Sequence, residues 1–153
     1  EGLVSIFERA GVTLVATAIY CVIDLQERTL TYSCAGHPAP IVVRLGEAKV
    51  LKPNHGKASP ALGLIPQAVY SSNTVSLDEV DRLLMYTDGL HEVEDSSGEE
   101  LGIEHVITSM EQSSEIGREE CLDSLLDESR RQAVDGEFAD DVCLFGLEVG
   151  SGL

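Results

Sequence analysis

One stretch decides how this chain folds: Asp81-Arg82-Leu83-Leu84-Met85-Tyr86-Thr87-Asp88-Gly89-Leu90. Leu83 to Tyr86 form a continuous apolar run between charge and glycine, which is typical of a strand buried on both faces. Gly89 allows a sharp turn, or a turn with positive φ, directly after that strand. The strand therefore brings one carboxylate, that of Asp88, to a turn, although an Asp-Gly pair by itself is often nothing more than a turn.

A second stretch, Phe138-Ala139-Asp140-Asp141-Val142-Cys143-Leu144-Phe145, places two carboxylates immediately before another apolar strand. If the two strands are neighbours, Asp88 and Asp140 converge at one rim of a sheet. Carboxylates at such short range repel one another unless a cation lies between them. Mg²⁺ and Mn²⁺ prefer oxygen ligands. The spacing alone leaves two interpretations open, a metal site or solvated acids in turns.

The composition indicates which classes of binding partner suit this chain. The chain has 153 residues, 27 of them acidic and 10 of them Lys or Arg, with a net charge of -17. This length predicts one domain or most of one. The acidic balance argues against binding to nucleic acid or to anionic membrane surfaces. It is compatible with divalent cations.

The cysteines and the lack of a recognisable targeting segment indicate the cellular compartment of the protein. The chain has four cysteines, and no two of them are spaced as Cys-x-x-Cys. We expect reduced, mostly buried thiols and no structural zinc. No targeting segment and no apolar run of membrane-spanning length is recognisable. These features favour a cytoplasmic protein.

The pattern of apolar residues predicts an α+β fold with an antiparallel sheet. Four strands are expected to follow one another as a meander, a second strand pair to follow, and one strand to close the chain. The expected strands are residues 12–23, 29–34, 41–45, 48–51, 73–77, 82–87 and 142–149. The expected helices are residues 2–10, 103–110 and 116–134, with Gly136 ending the last one. Leu122, Leu125 and Leu126 form its core-facing stripe.

Three motifs together carry a resemblance to a known family. They are Ala35-Gly36-His37-Pro38-Ala39-Pro40, Tyr86-Thr87-Asp88-Gly89-Leu90-His91-Glu92 and Ala139-Asp140-Asp141-Val142. Their order and separation resemble the bacterial metal-dependent serine phosphatases of the PPM, or type 2C-like, superfamily. The likeness is to the stage-II-sporulation-E branch, and it spans nearly the whole chain.

The resemblance implies a fold, a reaction and a site. The fold would be an antiparallel β-sandwich flanked by helices, in α-β-β-α layers. The reaction would be hydrolysis of phosphoserine or phosphothreonine by water held on a dinuclear Mn²⁺ or Mg²⁺ centre. Asp88 and Asp140 match the family's metal ligands, and Asp141 stands where eukaryotic relatives usually carry Asn. Gly36, His37, Gly89 and Asp141 would shape the cleft. The substrate would be a phosphorylated anti-sigma-factor antagonist in a signalling pathway.

The sequence also departs from the family pattern. The N-terminal motifs, which include the Asp that bridges both metals, have no match here. We therefore expect residues 1–153 to be the C-terminal portion of one phosphatase domain, with little or no hydrolysis alone and with weak or no binding of a dinuclear metal centre. Exposed sheet edges would favour a homodimer, and a sensory or receiver domain upstream is compatible with this picture. The rival hypotheses are a non-catalytic regulatory module of the same fold and a mononuclear cation-binding domain without chemistry.

The histidines have plainer interpretations than catalysis. His37 lies in a Gly-His-Pro-x-Pro turn and is better explained as a hydrogen-bonded turn residue than as a catalytic acid. His91 follows the Asp-Gly turn, where a surface position is expected. His55 and His105 belong to no cluster of reactive residues, so both are expected to be solvated.

Overall fold

The computed structural model describes residues 15–53 and 59–150 of the chain. These residues contain seven strands and two α-helices, joined by loops and 3-10 turns. The strands are β1 (Ala18–Asp24), β2 (Thr29–Ala35), β3 (Ile41–Arg44), β4 (Glu47–Val50), β5 (Asn73–Ser76), β6 (Arg82–Tyr86) and β7 (Leu144–Glu148). The helices are α1 (Gly102–Gln112) and α2 (Arg118–Gln132). The expected α+β class with antiparallel sheets is confirmed. The predicted helix over residues 2–10, and His55, lie outside the described residues.

The chain divides into two compact units, each with its own sheet. The first unit is Glu1–Ala39 with Lys52–Ser76, and the second is Pro40–Leu51 with Leu77–Leu153. The sheet of the first unit has the strand order β1-β2-β5, and that of the second has the order β4-β3-β6-β7. All pairings in both sheets are antiparallel. No helix among the described residues is long and apolar enough to cross a membrane.

The predicted meander is wrong, and so is the predicted pairing of residues 73–77 with residues 82–87. β2 pairs with β5, and β3 pairs with β6. The reason lies between β2 and β3, where Pro38 and Pro40 lack the N–H that a sheet ladder requires. The chain leaves the first sheet at this point and begins the second.

In the first unit, β2 alternates as its sequence predicts. Leu30 and Tyr32 are buried, and Thr29, Thr31 and Ser33 are half-buried. The Tyr32 hydroxyl donates a hydrogen bond to the carbonyl of Lys52 at 3.1 Å. On the other face, the hydroxyls of Thr31 and Thr74 lie 2.9 Å apart and join β2 to β5.

In the second unit, β6 is an inner strand between β3 and β7. Leu83 and Leu84 point to opposite faces of the sheet, and their exposures are only 2% and 0%. The strand is therefore buried on both faces, as its apolar run predicts. One face contributes to a core with residues from β3, α1, α2 and the turn after β6. The core residues are Ile41, Val43, Leu84, Tyr86, Leu90, Val106, Met110, Cys121 and Leu125.

Asp81 fixes the start of β6 against the β3–β4 turn. Its carboxylate accepts the backbone N–H of Leu45 at 2.7 Å and pairs with the guanidinium of Arg44. Its backbone N–H donates to Val43, and its carbonyl accepts from Val149, both at 2.8 Å. The Leu45 N–H, assisted by Arg44, holds the pKa of Asp81 below its usual value. The first residue of the deciding stretch thus fixes the alignment of three strands.

Helix α2 packs on the sheet through its predicted stripe. Leu125 and the neighbouring Cys121 are buried, while Leu122 and Leu126 are half-buried. α2 approaches β7 so closely that a Cβ built on Gly146 would lie 3.1 Å from Leu122 Cδ1. The helix surface and the small residue of the strand therefore fit each other.

The end of α2 differs from the prediction that Gly136 terminates it. The helix ends at Gln132, and Ala133 is already extended, with φ -64 and ψ 145. The N–H of Val134 donates to the carbonyl of Glu94 at 3.1 Å, a tertiary hydrogen bond that takes the chain out of the helix. Gly136, with φ 72, belongs to the separate 3-10 turn that follows.

The prediction that His105 is solvated is also wrong. His105 on α1 is half-buried, and its Nε2 lies 3.1 Å from the Ser129 hydroxyl on α2. Burial lowers the pKa of His105, and the nearby Glu128 carboxylate opposes that shift. The side chain therefore belongs to the contact between the two helices.

Candidate functional site

The two aspartate motifs meet at one end of the second sheet. β6 and β7 are antiparallel neighbours, with Tyr86 opposite Leu144. Asp88 lies two residues after the end of β6, and Asp140 lies four residues before the start of β7, so both lie beyond the same end of this strand pair. The pairing continues past the strands, because the Thr87 N–H donates to the Cys143 carbonyl at 3.1 Å.

Gly89 lies directly against the main chain of the second motif. A Cβ at this position would lie 2.9 Å from the carbonyl oxygen of Asp141 and 3.2 Å from that of Asp140. Asp88–Leu90 form a 3-10 turn, which is the sharp turn expected directly after β6. Gly89 is not among the described glycines with positive φ. Glycine is therefore needed here for close approach rather than for a left-handed backbone.

Thr87 joins the two motifs through its side chain. Its hydroxyl donates a hydrogen bond to the Asp141 carbonyl at 2.9 Å and accepts one from the Cys143 N–H, also at 2.9 Å. The sequence does not predict this role of Thr87, because neither hydrogen-bond partner is near it along the chain. The only signal is its position between a strand end and an Asp-Gly pair.

The two carboxylates differ in exposure. Asp88 is half-buried, and its Oδ1 accepts the Gly89 N–H at 3.2 Å. Asp140 is exposed, and its Oδ1 accepts the Asp141 N–H at 2.7 Å. Within the described residues, neither carboxylate forms a salt bridge with Lys or Arg. Their negative charge is thus left for another cation or for solvent.

The oxygen donors fit a hard divalent cation in kind but not in number. Mg²⁺ and Mn²⁺ take oxygen ligands and usually retain several waters. Residues 15–53 and 59–150 contain no group of three or more His, Cys, Asp or Glu side chains that could hold a metal ion. That Asp88 and Asp140 are metal ligands stays a prediction.

Asp141 and His91 flank these carboxylates. Asp141 is exposed, and its contacts with Thr87 and Gly89 are made by its carbonyl. The expected surface position of His91 is wrong, because its ring is half-buried edge-on to Tyr86, with ring centroids 5.8 Å apart. Its Nδ1 is buried without a hydrogen-bond partner among the described residues. His91 therefore packs against the last residue of β6.

Gly36 and His37 belong to the first unit. Gly36 has φ 63, and a Cβ there would lie 2.7 Å from the Cβ of Ala61. Glycine is thus required for both conformation and space. His37 is half-buried, and its Nδ1 lies 3.0 Å from the Pro38 carbonyl, which fits the hydrogen-bonded turn histidine favoured above. That these residues shape a cleft stays a prediction.

Comparison with known proteins gives a family match over nearly the whole chain. Residues 3–150 match the family model of stage II sporulation protein E, SpoIIE. Among curated proteins, Protein IcfG of Synechocystis sp. is 25% identical over 103 residues, which covers 67% of this chain and 16% of the relative.

Solved structures share the fold. The phosphatase domain of SpoIIE from Bacillus subtilis matches with TM-score 0.70 and 18% identity, over 90% of this chain and 58% of that one. The SiaA-PP2C domain of Pseudomonas aeruginosa matches with TM-score 0.72 and 17% identity, over 88% and 52%. The RsbU and RsbW domains of a Mycobacterium tuberculosis protein match with TM-score 0.66 and 22% identity, over 95% and 39%. The chain thus has the fold of bacterial phosphatase domains and spans 39% to 58% of the length of these three chains.

Proposed function

Because the chain belongs to the stage II sporulation protein E family, we propose that it forms part of a metal-dependent protein serine/threonine phosphatase. The observation that carries the proposal is the meeting of Asp88 and Asp140 beyond one end of the β6–β7 pair. Two carboxylates without salt-bridge partners among the described residues are a suitable part of a divalent cation site. Their oxygen chemistry supports Mn²⁺ or Mg²⁺ as the cofactor.

In this proposal the chain's own residues hold and orient the centre. Asp88 and Asp140 provide carboxylate ligands, and Gly89 lets the two segments approach. When bound, a divalent cation of this kind neutralises charge on a phosphoryl group and supplies water as a nucleophile near neutral pH. Within the described residues, no third His, Cys, Asp or Glu side chain forms a group with them that could hold a metal ion.

The proposed substrate is a phosphoserine or phosphothreonine on a protein, specifically an anti-sigma-factor antagonist. The resemblance to the sporulation branch of the family supports this substrate class. The net charge of -17 supports a protein substrate over nucleic acid, because a strongly acidic surface repels a phosphate backbone. A cytoplasmic location and a homodimer remain parts of the same proposal.

The decisive test removes one carboxylate at a time. In the protein as its gene encodes it, we expect Asp88→Asn or Asp140→Asn to abolish Mn²⁺-dependent hydrolysis of p-nitrophenyl phosphate. The expected loss is at least 100-fold in kcat/KM, or about 2.7 kcal/mol at 1.36 kcal/mol per tenfold. Asp123→Asn is the matched control, because Asp123 is an exposed aspartate on α2, outside the candidate site, and its replacement is expected to retain turnover. Unchanged turnover in Asp88→Asn or Asp140→Asn would contradict the assignment.

A non-catalytic regulatory module is the second candidate. The observation that favours it is that the described residues hold no complete set of metal-ligating side chains. A module of this kind would bind a phosphoprotein and leave its phosphate in place. Binding without Mn²⁺-dependent phosphate release, unaffected by Asp88→Asn, would select this candidate over the phosphatase.

A further inference from the structure

We propose that Thr87 is a positioning residue whose hydroxyl sets the separation of Asp88 and Asp140. This inference rests on the proposed metal site and assigns a residue that acts on it indirectly. Thr87 itself touches neither the carboxylate of Asp88 nor that of Asp140 in the described hydrogen bonds. It acts through the main chain on both sides.

The first step is the geometry on the Asp140 side. The Thr87 hydroxyl donates to the Asp141 carbonyl and accepts from the Cys143 N–H, both at 2.9 Å. These two groups bracket Val142, so the hydroxyl holds the segment that leads from Asp140 into β7. The segment lies outside the strand ladder, and it is exposed except at Val142, which is half-buried against the core. Without the hydroxyl, one backbone hydrogen bond, from the Thr87 N–H to the Cys143 carbonyl, still joins it to Thr87.

The second step is the geometry on the Asp88 side. Thr87 is extended, with φ -85 and ψ 158, and it immediately precedes the 3-10 turn that contains Asp88. The Leu90 N–H donates to the Thr87 carbonyl at 3.1 Å and closes that turn. Thr87 is therefore fixed to the Asp88 turn by its backbone and to the Asp140 segment by its side chain.

The third step is the chemistry that this position needs. One atom must donate to a carbonyl and accept from an N–H, and a hydroxyl can do both. Serine keeps this ability. Valine has nearly the same shape as threonine but can do neither. Groups that orient metal ligands without touching the metal usually lower metal affinity by about 10- to 100-fold when they are removed.

The experiment uses the protein as its gene encodes it and measures its Mn²⁺ affinity by calorimetry. NMR spectra of the same protein measure the Mn²⁺-induced broadening of the Gly89 and Asp141 amide signals. We expect Thr87→Val to weaken Mn²⁺ binding by about 10- to 100-fold and Thr87→Ser to restore it. Thr108→Val is the matched control, because Thr108 is an exposed threonine on α1. Its affinity should equal that of the unchanged protein.

A second readout needs no metal. Thr87→Val should accelerate hydrogen exchange of the Cys143 amide, which loses its acceptor, and leave the Leu84 amide in the middle of β6 unchanged. Equal Mn²⁺ affinities in Thr87→Val and the unchanged protein would overturn the positioning role and leave the metal site intact. Absence of broadening at Gly89 and Asp141 in the unchanged protein would instead overturn the metal site, and the role of Thr87 with it.

Discussion

At the residue scale, Gly89 shows that a glycine can be required for space alone. The backbone of Gly89 needs no positive φ, yet the carbonyls of Asp140 and Asp141 occupy the place of a side chain. The close approach brings one motif onto the other. The Asp-Gly pair is therefore a turn that also forms part of the candidate site.

We expect Gly89→Ala to destabilise the fold by about 1 to 3 kcal/mol, the usual cost of an added group in a packed site. The new Cβ would lie 2.9 Å from the Asp141 carbonyl oxygen, so the Asp140 segment must shift. Urea unfolding at constant temperature measures the change. Gly150→Ala is the control, because nothing lies within 4 Å of its Cβ position. If both substitutions have the same effect, the close contact is not a constraint.

At the element scale, the contact between α1 and α2 contains a polar network within an apolar interface. The Ser129 hydroxyl is fully buried and donates to the Leu125 carbonyl at 2.9 Å. His105 reaches the same hydroxyl from α1, and Ser109 donates to Glu128 at 2.9 Å. The two helices are therefore joined by side-chain hydrogen bonds as well as by apolar packing.

This network predicts a pH dependence of stability. The pKa of His105 is lower in the folded state than its ordinary value of 6.5, mainly because the ring is buried. The unfolded chain therefore binds a proton more readily, and the stability present above pH 6.5 is lost as pH falls through the folded pKa. Urea unfolding between about pH 7.5 and about pH 5 measures this loss. His105→Gln should lose less stability over that interval, and parallel curves for the two proteins would contradict the prediction.

At the scale of the whole molecule, charge is the dominant feature. The net charge of -17 is spread over 153 residues, so like charges repel in the folded state. Within the described residues, the ion pairs involve few of the acidic side chains. Unbalanced negative charge is thus a property of the molecule and not of the candidate site alone.

We therefore expect sodium chloride to raise the melting temperature. Increasing ionic strength from about 0.01 M to about 0.15 M shortens the Debye length from about 30 Å to about 8 Å and screens the repulsion. Differential scanning calorimetry at the two concentrations measures the shift. Chloride is preferred over sulfate, because sulfate stabilises proteins by being excluded from their surface. A melting temperature that falls with added chloride would mean that favourable ion pairs outweigh the repulsion.

Local features of the fold could be predicted from the sequence. The run from Leu83 to Tyr86 predicts a strand buried on both faces, because no polar residue interrupts it, and Leu83 and Leu84 are indeed buried. The leucine stripe predicts the buried face of α2. Each of these predictions depends only on residues that are close together along the chain, where spacing and propensity act directly.

Strand pairing could not be predicted in the same way. β3 follows β2 in sequence but pairs with β6, and β5 returns to β2. The gain from burying one strand against another does not depend on which is nearer in sequence, so proximity is a poor guide. The contacts of His105 were missed for a related reason, since Ser129 lies on a different helix.

By itself, the amino-acid sequence determined the strands, the helices and the two acidic motifs at strand ends. Only the tertiary structure decided that the motifs share one end of the β6–β7 pair, that Gly89 must leave room for two carbonyls, and that Thr87 bridges both segments. The physical reason is the distance along the chain over which each effect acts. Propensity and apolar periodicity act over a few residues, whereas close approach and hydrogen bonding across the site require segments far apart in the chain to be brought together by packing.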